Sequence, residues 1–537
     1  MSHAGAASPT VARVAGFTVV LIATLAIVST YGVFSQTYDE PGHIAAGMEW
    51  WQHGRFTFEE QHPPLARAAV ALGPYLAGHR LRGSPSMWVE GNAILYANGV
   101  EGYTKNLSLA RAGMLPFFIL ACVAVWVWAR RLGGDTAALG AIIAFAGSWP
   151  VLAHAGLATN DMAVTATLNA SLLAYWCWLE RPDLRRSVLL GVSLGAAVVS
   201  KLSTVLFFPV GAAGLTIAWL LSRRRRESAT MRSISYPRGL GIAGWASILT
   251  IWAAYRFSFR WLGTMPLPAP ELVAGIYQVI HHSAIGHASY LFGERSLTGW
   301  WYYFPVVLAL KTPLPMLFLA AMGAAFPFIR RSRDEAWVVA APAIAAIAML
   351  LAVLPSSINA GVRYVLPLYP LLAVSAGIAV DHLWRGGELR SRVARAAVIA
   401  LLAWQLFGAV RAHPDHLPAF NELGGRRPER LVDDSNVDWG QDLLRLGDEL
   451  RQRRIGDVTV AYYGTADPTQ HLGASYHRLA PSQAATGWIA VSERYLVGIV
   501  DGRIDDGYLW LRKFNQARRI GRSIRLIYVP RDTIDRH

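Results

Sequence analysis

The chain has 537 residues, of which 53% are hydrophobic and 16% charged, whereas soluble proteins usually carry about 25% charged residues. A mean hydropathy of +0.31 and 20 Trp residues indicate a polytopic membrane protein with aromatic belts. The net charge of +15 sits mostly in short clusters between apolar runs, which argues against a nucleic-acid partner. Cys122 and Cys177 both fall in apolar runs, which excludes a disulfide framework and a thiol metal site.

Apolar runs of membrane-spanning length follow one another along the first three quarters of the chain. A bilayer core of about 30 Å needs roughly 20 apolar residues per helix. Candidate spans are residues 14–34, 112–129, 136–155, 162–179, 240–257, 302–328, 337–354, 364–383 and 393–410. A further run, 187–221, is too long for one helix and carries Lys201 near its middle. Splitting it at Lys201 moves the charge to a membrane surface and predicts about eleven spans.

Basic clusters predict the orientation of these spans. The clusters lie in alternate loops, at Arg130–Arg131, Arg185–Arg186, Arg223–Arg226, Arg330–Arg333 and Arg385–Arg392. Because cytoplasmic loops are enriched in Lys and Arg, we expect these loops and the N-terminus in the cytoplasm. The loop 35–111 and the C-terminal region then face outward, and the expected location is the inner membrane of a bacterial cell.

The first outward loop, 35–111, is long enough to have structure of its own. Residues 41–53 predict an amphipathic helix lying in the membrane interface, capped by Asp39 or Glu40 and ended by Gly54. Pro63 and Pro64 break the chain, and a second interfacial helix is predicted over 65–76.

A change of composition after Arg411 predicts a second domain. Residues 412–537 are polar, with strand patterns at 458–463, 488–492 and 524–529 and a helical pattern at 438–454. The predicted fold class is therefore an all-α polytopic membrane domain, 1–411, followed by a small outward-facing α/β domain, 412–537.

Adjacent carboxylates at a membrane exit are the leading candidates for chemistry. Asp39 is suited to general-base catalysis on a hydroxyl, although a simple helix cap would also explain it. Glu40 and His43 are three residues apart on the predicted helix and suggest a divalent metal ion, with His282 as a third ligand.

Other polar residues fall at the predicted outer ends of the spans. Asp161 follows Asn160 at one such end, where capping a helix is the simpler explanation. The cations Lys201 and Arg363 suit either snorkelling to lipid headgroups or binding of a lipid-borne phosphate. His62, before Pro63 and Pro64, and Tyr364, beside Arg363, are further candidates for substrate binding.

These motifs resemble the GT-C membrane glycosyltransferases, in particular glycosyltransferase family 39, which contains protein O-mannosyltransferases and aminoarabinose transferases. The matching motifs, in order, are Tyr38-Asp39-Glu40, His62-Pro63-Pro64-Leu65, Thr159-Asn160-Asp161, Ser200-Lys201-Leu202 and Arg363-Tyr364-Val365-Leu366-Pro367. The resemblance implies that Asp39 is the catalytic base, with Glu40 as its acidic companion and Asp161 as a second acidic residue near the site. His62 stands where relatives often have Lys, which departs from the family pattern.

The hypothesis is an inverting glycosyltransferase that uses a polyprenyl-phosphate sugar donor and a protein, lipid or glycan acceptor. The main alternative is a membrane transporter or flippase of a lipid-linked substrate, which would place charges or broken helices at mid-membrane. A third alternative is a receptor-like or assembly protein whose C-terminal domain binds a partner. We therefore expect the charged residues named above to meet at one membrane face if the first hypothesis holds.

Overall fold

The computed structural model describes residues 8–222, 234–262, 264–330, 333–385, 388–514 and 516–531. The helices are α1 (Pro9–Ser29), α2 (Glu40–His53), α3 (Pro64–Leu76), α4 (Met87–Leu95), α5 (Gly99–Ala112), α6 (Leu115–Ala146), α7 (Trp149–Ala155), α8 (Asp161–Glu180), α9 (Leu184–Val198), α10 (Thr204–Leu221), α11 (Tyr236–Ala254), α12 (Pro270–Ile285), α13 (Tyr303–Lys311), α14 (Leu314–Arg330), α15 (Arg333–Val353), α16 (Leu368–Trp384), α17 (Glu388–Ala412), α18 (Leu443–Arg453), α19 (Pro468–His471) and α20 (Glu493–Leu496).

The strands are short and mostly C-terminal. They are β1 (Phe259–Leu262), β2 (Met265–Pro268), β3 (Ser289–Leu291), β4 (Glu294–Ser296), β5 (Asp457–Ala461), β6 (Ser475–Arg478), β7 (Gly487–Ser492), β8 (Ile499–Val500), β9 (Arg503–Ile504), β10 (Arg518–Ile520) and β11 (Ile524–Val529). The predicted class, a helical membrane protein with a small sheet-containing C-terminal region, is confirmed.

Lys201 lies between two helices, as the sequence predicts. Helix α9 ends at Val198, α10 begins at Thr204, and Lys201 is in the connecting turn. The apolar run therefore forms two helices, and the ammonium group sits at their junction rather than inside one of them.

The predicted spans at 112–129 and 136–155 are joined across Gly134 in α6. Gly134 has φ +79° and ψ −165°, a conformation that residues with a Cβ rarely adopt, and the helix axis breaks there. Arg111, just before α6, bonds to Glu40, and Ala158, after α7, donates its backbone N–H to the same carboxylate. The chain therefore leaves the Glu40 end of the bundle and returns to it, with Gly134 at the far end.

The predicted span at 302–328 is wrong as a single helix. Helices α13 and α14 meet at an angle of 115° across Thr312 and Pro313. Pro313 has no N–H to continue the helix and forces Thr312 into an extended conformation, with ψ 136°. Tyr303 to Lys311 therefore run along the site end of the bundle, and only α14 continues away from it.

The number of membrane spans stays a prediction. Among the described residues, six helices are long and apolar enough to cross a bilayer, or seven if the bent pair α13–α14 counts as one span. The prediction of about eleven differs because the count from apolar runs also includes short helices such as α9. The basic cluster Arg223–Arg226 lies outside the described residues.

Helices α2 and α3 form where the sequence predicts them, but α2 is not an interfacial helix. Its first ten residues, Glu40 to Glu49, are all buried. Gly47 packs so closely on α3 that a Cβ there would collide with the backbone of Arg67. Gly54, at φ +60°, ends the helix as predicted. The loop 35–111 is therefore a packed layer over the bundle.

The C-terminal sheet has the strand order β10-β11-β7-β5-β6. Strand β5 pairs parallel with β6 and β7, whereas β11 pairs antiparallel with β7 and β10. The three predicted strands correspond to β5, β7 and β11. The predicted helix at 438–454 is shorter and begins at Leu443, because Asp438 lies in a buried turn that accepts a bond from the Gly440 N–H.

Candidate active site

Asp39 and Arg363 form the first of two ion pairs at one end of the bundle. Arg363 Nη1 donates to Asp39 Oδ2 at 2.7 Å. Asp39 occupies the N-cap position of α2, yet its side chain makes no capping hydrogen bond, so the capping explanation does not hold. Its side chain keeps 28% of its surface exposed, which leaves the carboxylate accessible to a substrate.

Asp161 and Lys201 form the second pair. Lys201 Nζ donates to Asp161 Oδ1 at 2.6 Å, and Thr159 Oγ1 donates to the other carboxylate oxygen at 3.2 Å. Asp161 is fully buried and is the first residue of α8, where Asn160 makes no side-chain cap. Its carboxylate therefore holds Lys201 instead of capping the helix.

Tyr364 joins the two pairs. Lys201 Nζ lies 4.9 Å from the centre of the Tyr364 ring, and the Arg363 guanidinium carbon lies 5.4 Å from it. An aromatic face attracts cations, so the ring holds both positive charges on one side of the site. Residues from the motifs of four separate chain segments thus meet in one place.

A cavity of about 380 Å³ opens beside these cations. Lys201, Arg363 and Tyr364 line one end, and the remaining walls come largely from apolar side chains of α8, α10, α12 and α15. These include Val164, Leu206, Phe207, Ile276, Ile280 and Val353. Such a space accepts an apolar chain with an anionic group at its end.

Glu40 does not share the role predicted for it. Arg111 donates to both of its carboxylate oxygens, at 2.8 and 2.9 Å, and the N–H groups of Thr37 and Ala158 donate to it as well. Glu40 and Arg111 are almost completely buried. Since every lone-pair direction is occupied, Glu40 serves as a structural link between the first loop and α7–α8, not as a companion base or metal ligand.

The predicted metal ligands do not form a cluster. His43 Nδ1 faces the Arg67 guanidinium, whose Nε lies 3.4 Å away, and His282 Nδ1 lies 3.2 Å from the side-chain amide of Gln61. Among the described residues, no three His, Cys, Asp or Glu side chains are arranged to hold a metal ion. A dication beside Arg67 is also disfavoured by charge, so the residues do not fit the divalent ion that the sequence suggests.

His62 lies near the site but supplies no charge. Its Nδ1 pairs with Glu59 Oε1 at 2.8 Å, and its ring packs edge-on against His43 at 5.2 Å. Burial and the nearby Lys201 lower the pKa of His62 to about 4, so the imidazole is neutral at pH 7. It can offer a hydrogen bond to a ligand, whereas the positive charge comes from Lys201 and Arg363.

Two residues of the site were given no role by the sequence. The indole of Trp439 packs against the guanidinium of Arg363, 4.3 Å from its carbon, and is almost fully buried. His154 is fully buried, neither of its ring nitrogens has a hydrogen-bond partner in the described parts of the chain, and its ring lies 6.1 Å from that of Trp439. Trp439 stands in an unusually acidic run, 433–442, which is the one signal in the sequence that pointed to it.

Comparison with solved structures defines the class of the fold. The crystal structure of ArnT from Cupriavidus metallidurans bound to undecaprenyl phosphate has a TM-score of 0.51 and 13% identity, covering 95% of this chain and 97% of that one. The archaeal oligosaccharyltransferase AglB from Archaeoglobus fulgidus has a TM-score of 0.49 and 12% identity, covering 94% and 72%. The ArnT match shows that the chain has the GT-C fold of multi-pass membrane glycosyltransferases.

Residues 17–259 match the family model described as dolichyl-phosphate-mannose-protein mannosyltransferase. This match, over a little under half of the chain, confirms the resemblance to glycosyltransferase family 39, and the likeness to ArnT shows the GT-C fold. No curated protein matches the chain in sequence.

Proposed function

We propose that the protein transfers a sugar from a polyprenyl-phosphate donor to an acceptor hydroxyl at the outer face of the cell membrane. The observation that carries this proposal is the cavity of about 380 Å³, apolar along its walls and ending at Lys201, Arg363 and Tyr364. Its walls suit the isoprenoid units next to the phosphate, while the two cations suit the phosphate itself. The similar ArnT structure contains undecaprenyl phosphate, which supports this assignment.

The chemistry follows from the two ion pairs. When the donor phosphate binds Arg363 and Lys201, Arg363 exchanges part of its contact with Asp39 for the phosphate. Asp39 is then free to take the proton of the acceptor hydroxyl. The acceptor oxygen attacks the anomeric carbon on the face opposite the phosphate, and the bond from that carbon to the phosphate oxygen breaks. The lipid phosphate leaves with the electron pair, stabilised by the cations, and the anomeric configuration is inverted.

The outward orientation of the site rests on the distribution of basic residues. Arg385 donates to the Gly133 carbonyl, so the Gly134 break and the end of α16 meet at the face opposite Arg363. Arg130 and Arg131 lie at that same face, next to the break in an apolar helix, so basic residues cluster there at the ends of membrane helices. Since Lys and Arg favour the cytoplasmic side, the site and the C-terminal region face outward.

A transfer assay with Asp39→Asn tests the proposal. Purified protein is incubated with undecaprenyl-phosphate mannose, chosen because the matched family's description names mannose, and membrane extract as the acceptor source. We expect release of undecaprenyl phosphate, with a rate lowered about 10²–10⁴-fold in Asp39→Asn. Asp457→Asn, an exposed carboxylate in the C-terminal sheet, is the matched control. Wild-type turnover by Asp39→Asn would overturn the assignment of the base.

Broken helices are the feature that would favour a transporter or flippase, and the bundle has them at Lys201 and at Thr312–Pro313. Lys201, however, is paired at the same end of the bundle as Asp39 and Arg363, not at mid-span. Vesicles that move labelled undecaprenyl-phosphate mannose across the bilayer without forming any glycoside would favour the transporter.

A further inference from the structure

The segment 435–441, here called the clasp, runs between the chain segments that carry Asp39 and Arg363. It belongs to the acidic run in the C-terminal region, whose role is not explained by the transfer chemistry. On one side the clasp receives backbone hydrogen bonds from the Asp39 segment. The Ser35 N–H donates to the Gln441 carbonyl at 3.0 Å, and the Tyr38 N–H donates to the Trp439 carbonyl at 2.9 Å.

On its other side the clasp binds the turn that carries Arg363. The Val362 N–H donates to Asn436 Oδ1 at 3.0 Å, and Ser435 Oγ donates to the Ala360 carbonyl at 2.7 Å. The Trp439 ring packs on the Arg363 guanidinium itself. Residues immediately before Asp39 and immediately before Arg363 are therefore bonded to the same seven-residue stretch.

Internal hydrogen bonds make the clasp rigid. The Trp439 N–H donates to Gln441 Oε1 at 2.8 Å, and Gln441 Nε2 donates back to the Val437 carbonyl at 2.9 Å. Asn436 Nδ2 donates to the Asp433 carbonyl at 2.9 Å. Asn436 and Trp439 are almost completely buried, so these bonds form away from bulk water, where leaving a polar group unpaired is costly.

Asp39 and Arg363 are 324 residues apart in sequence, the first at the N-cap of α2 and the second in the turn before α16. A general base and a phosphate-binding cation act together only when they are held at the correct distance from each other. A displacement of about 1 Å can lower the rate about 10²-fold. We propose that the clasp sets the distance between Asp39 and Arg363, which makes the C-terminal region part of the transfer site and Trp439 a positioning residue. This inference rests on the roles of Asp39 and Arg363 proposed above.

Substitutions at Trp439 test the inference in the full-length protein. Trp439→Leu removes the ring from Arg363, whereas Trp439→Phe keeps an aromatic face there. Trp488→Leu is the matched control, because Trp488 lies in the sheet of the same region and packs on Tyr528. In the undecaprenyl-phosphate mannose assay we expect kcat to fall at least tenfold in Trp439→Leu, to recover largely in Trp439→Phe, and to stay unchanged in Trp488→Leu.

Amide hydrogen exchange gives a readout that does not depend on turnover. Ser435→Ala removes the bond to the Ala360 carbonyl, and we expect faster exchange in residues 360–363 while the sheet strands β5 and β7 keep their protection. In Trp439→Leu, exchange should rise in both 35–39 and 360–363. Unchanged exchange in both segments in these variants would overturn the inference.

The two proposals fail in distinguishable ways. If Asp39→Asn is inactive while Trp439→Leu keeps the wild-type kcat, the clasp inference is wrong and the proposed function stands. If Trp439→Leu and Trp488→Leu lose activity equally, the effect is general destabilisation and the clasp inference is again wrong. If Asp39→Asn keeps full turnover, the proposed function fails, and the exchange measurements still decide whether the clasp links the two segments.

Discussion

At the scale of single residues, the site matches each carboxylate with one cation and places an aromatic ring between the cations. Asp39 pairs with Arg363, and Asp161 pairs with Lys201, while Tyr364 contacts both positive charges. Each charge is neutralised by its partner. Arrival of a phosphate therefore changes the partners of the cations rather than the charges themselves.

Arg363→Lys tests the guanidinium as the phosphate ligand. Lys keeps the positive charge but loses the planar fork that binds two oxygens and the packing on Trp439. We expect the Kd for undecaprenyl phosphate, measured by the shift in thermal unfolding, to rise about tenfold, which corresponds to about 1.4 kcal/mol. Arg503→Lys, an exposed residue of β9, serves as the control. Equal affinities of Arg363→Lys and wild type would contradict the assignment.

Asp433, at the start of the acidic run, should make stability depend on pH. Burial raises its pKa from 3.8 to about 7, although Arg494 opposes the shift. Between about pH 4 and pH 7 the folded protein keeps a proton on Asp433 that the unfolded chain releases, so stability falls as the pH rises through this window. Asp434 also contacts Arg494, which holds the pKa of that carboxyl well below its usual value even though burial alone would raise it.

Asp433→Asn should remove this dependence. Measured as Tm in detergent from pH 5 to pH 8, the variant is expected to gain stability relative to wild type as the pH rises. Asp448→Asn, an exposed carboxylate on α18, should show a constant difference from wild type. A constant difference for Asp433→Asn would show that the carboxyl of Asp433 does not titrate in this range.

At the scale of elements, the position of helix α2 is fixed by its first residue, Glu40, and not by an apolar helix face lying in the membrane interface. Glu40 binds Arg111 from the end of α5 and the N–H of Ala158 after α7, so one carboxylate joins three parts of the chain. This link sets where α2 begins and therefore where Asp39 points. The burial of α2 follows from its packing against α3 and α4 rather than on a membrane surface.

Glu40→Ala should destabilise the protein strongly, because it leaves the Arg111 guanidinium buried without its partner. Breaking one side of a buried ion pair costs about 3–5 kcal/mol. We expect a lower Tm in detergent and a smaller yield of folded protein, with no effect of Glu101→Ala, an exposed residue of α5. A wild-type Tm for Glu40→Ala would indicate that Arg111 finds another partner.

At the scale of the whole molecule, the bundle provides the cavity that we propose for the donor lipid, and Trp439 of the C-terminal region packs on Arg363 beside it. The cavity walls come from helices that are far apart in sequence, from α8 to α15. The aromatic ring of Tyr463, in the C-terminal region, stacks on Tyr38 at 5.2 Å, next to Asp39. The C-terminal region therefore borders the site on the side of Asp39.

Filling the cavity should block the donor lipid without changing the ion pairs. Leu206 and Leu220 are both exposed leucines of α10, but Leu206 lines the cavity and Leu220 lies outside it. We expect Leu206→Trp to raise KM for undecaprenyl-phosphate mannose about tenfold or more and to abolish stabilisation by undecaprenyl phosphate, while Leu220→Trp behaves like wild type. If both variants bind the lipid normally, the donor enters elsewhere.

Local signals were sufficient to predict much of this protein. Apolar runs predicted the membrane helices, and Gly54 predicted the end of α2. The free-energy cost of placing the charge of Lys201 in the lipid core predicted the break in the helix there. The motifs containing Asp39, Asp161, Lys201, Arg363 and Tyr364 could be identified because each combines charged or aromatic residues with the end of an apolar run. These features depend only on neighbouring residues and can therefore be predicted from the sequence.

Only the tertiary structure decided which charges are paired. Glu40 and Asp39 are adjacent in sequence, yet one is buried against Arg111 and the other faces Arg363, because the first turn of α2 directs the two side chains apart. Likewise, the acidic run 433–442 includes the predicted start of a helix. In the structure this run is buried between two distant segments, and its residues 435–441 form the clasp. Pairing of this kind joins residues that are between 40 and 324 positions apart in the sequence, which no local pattern specifies.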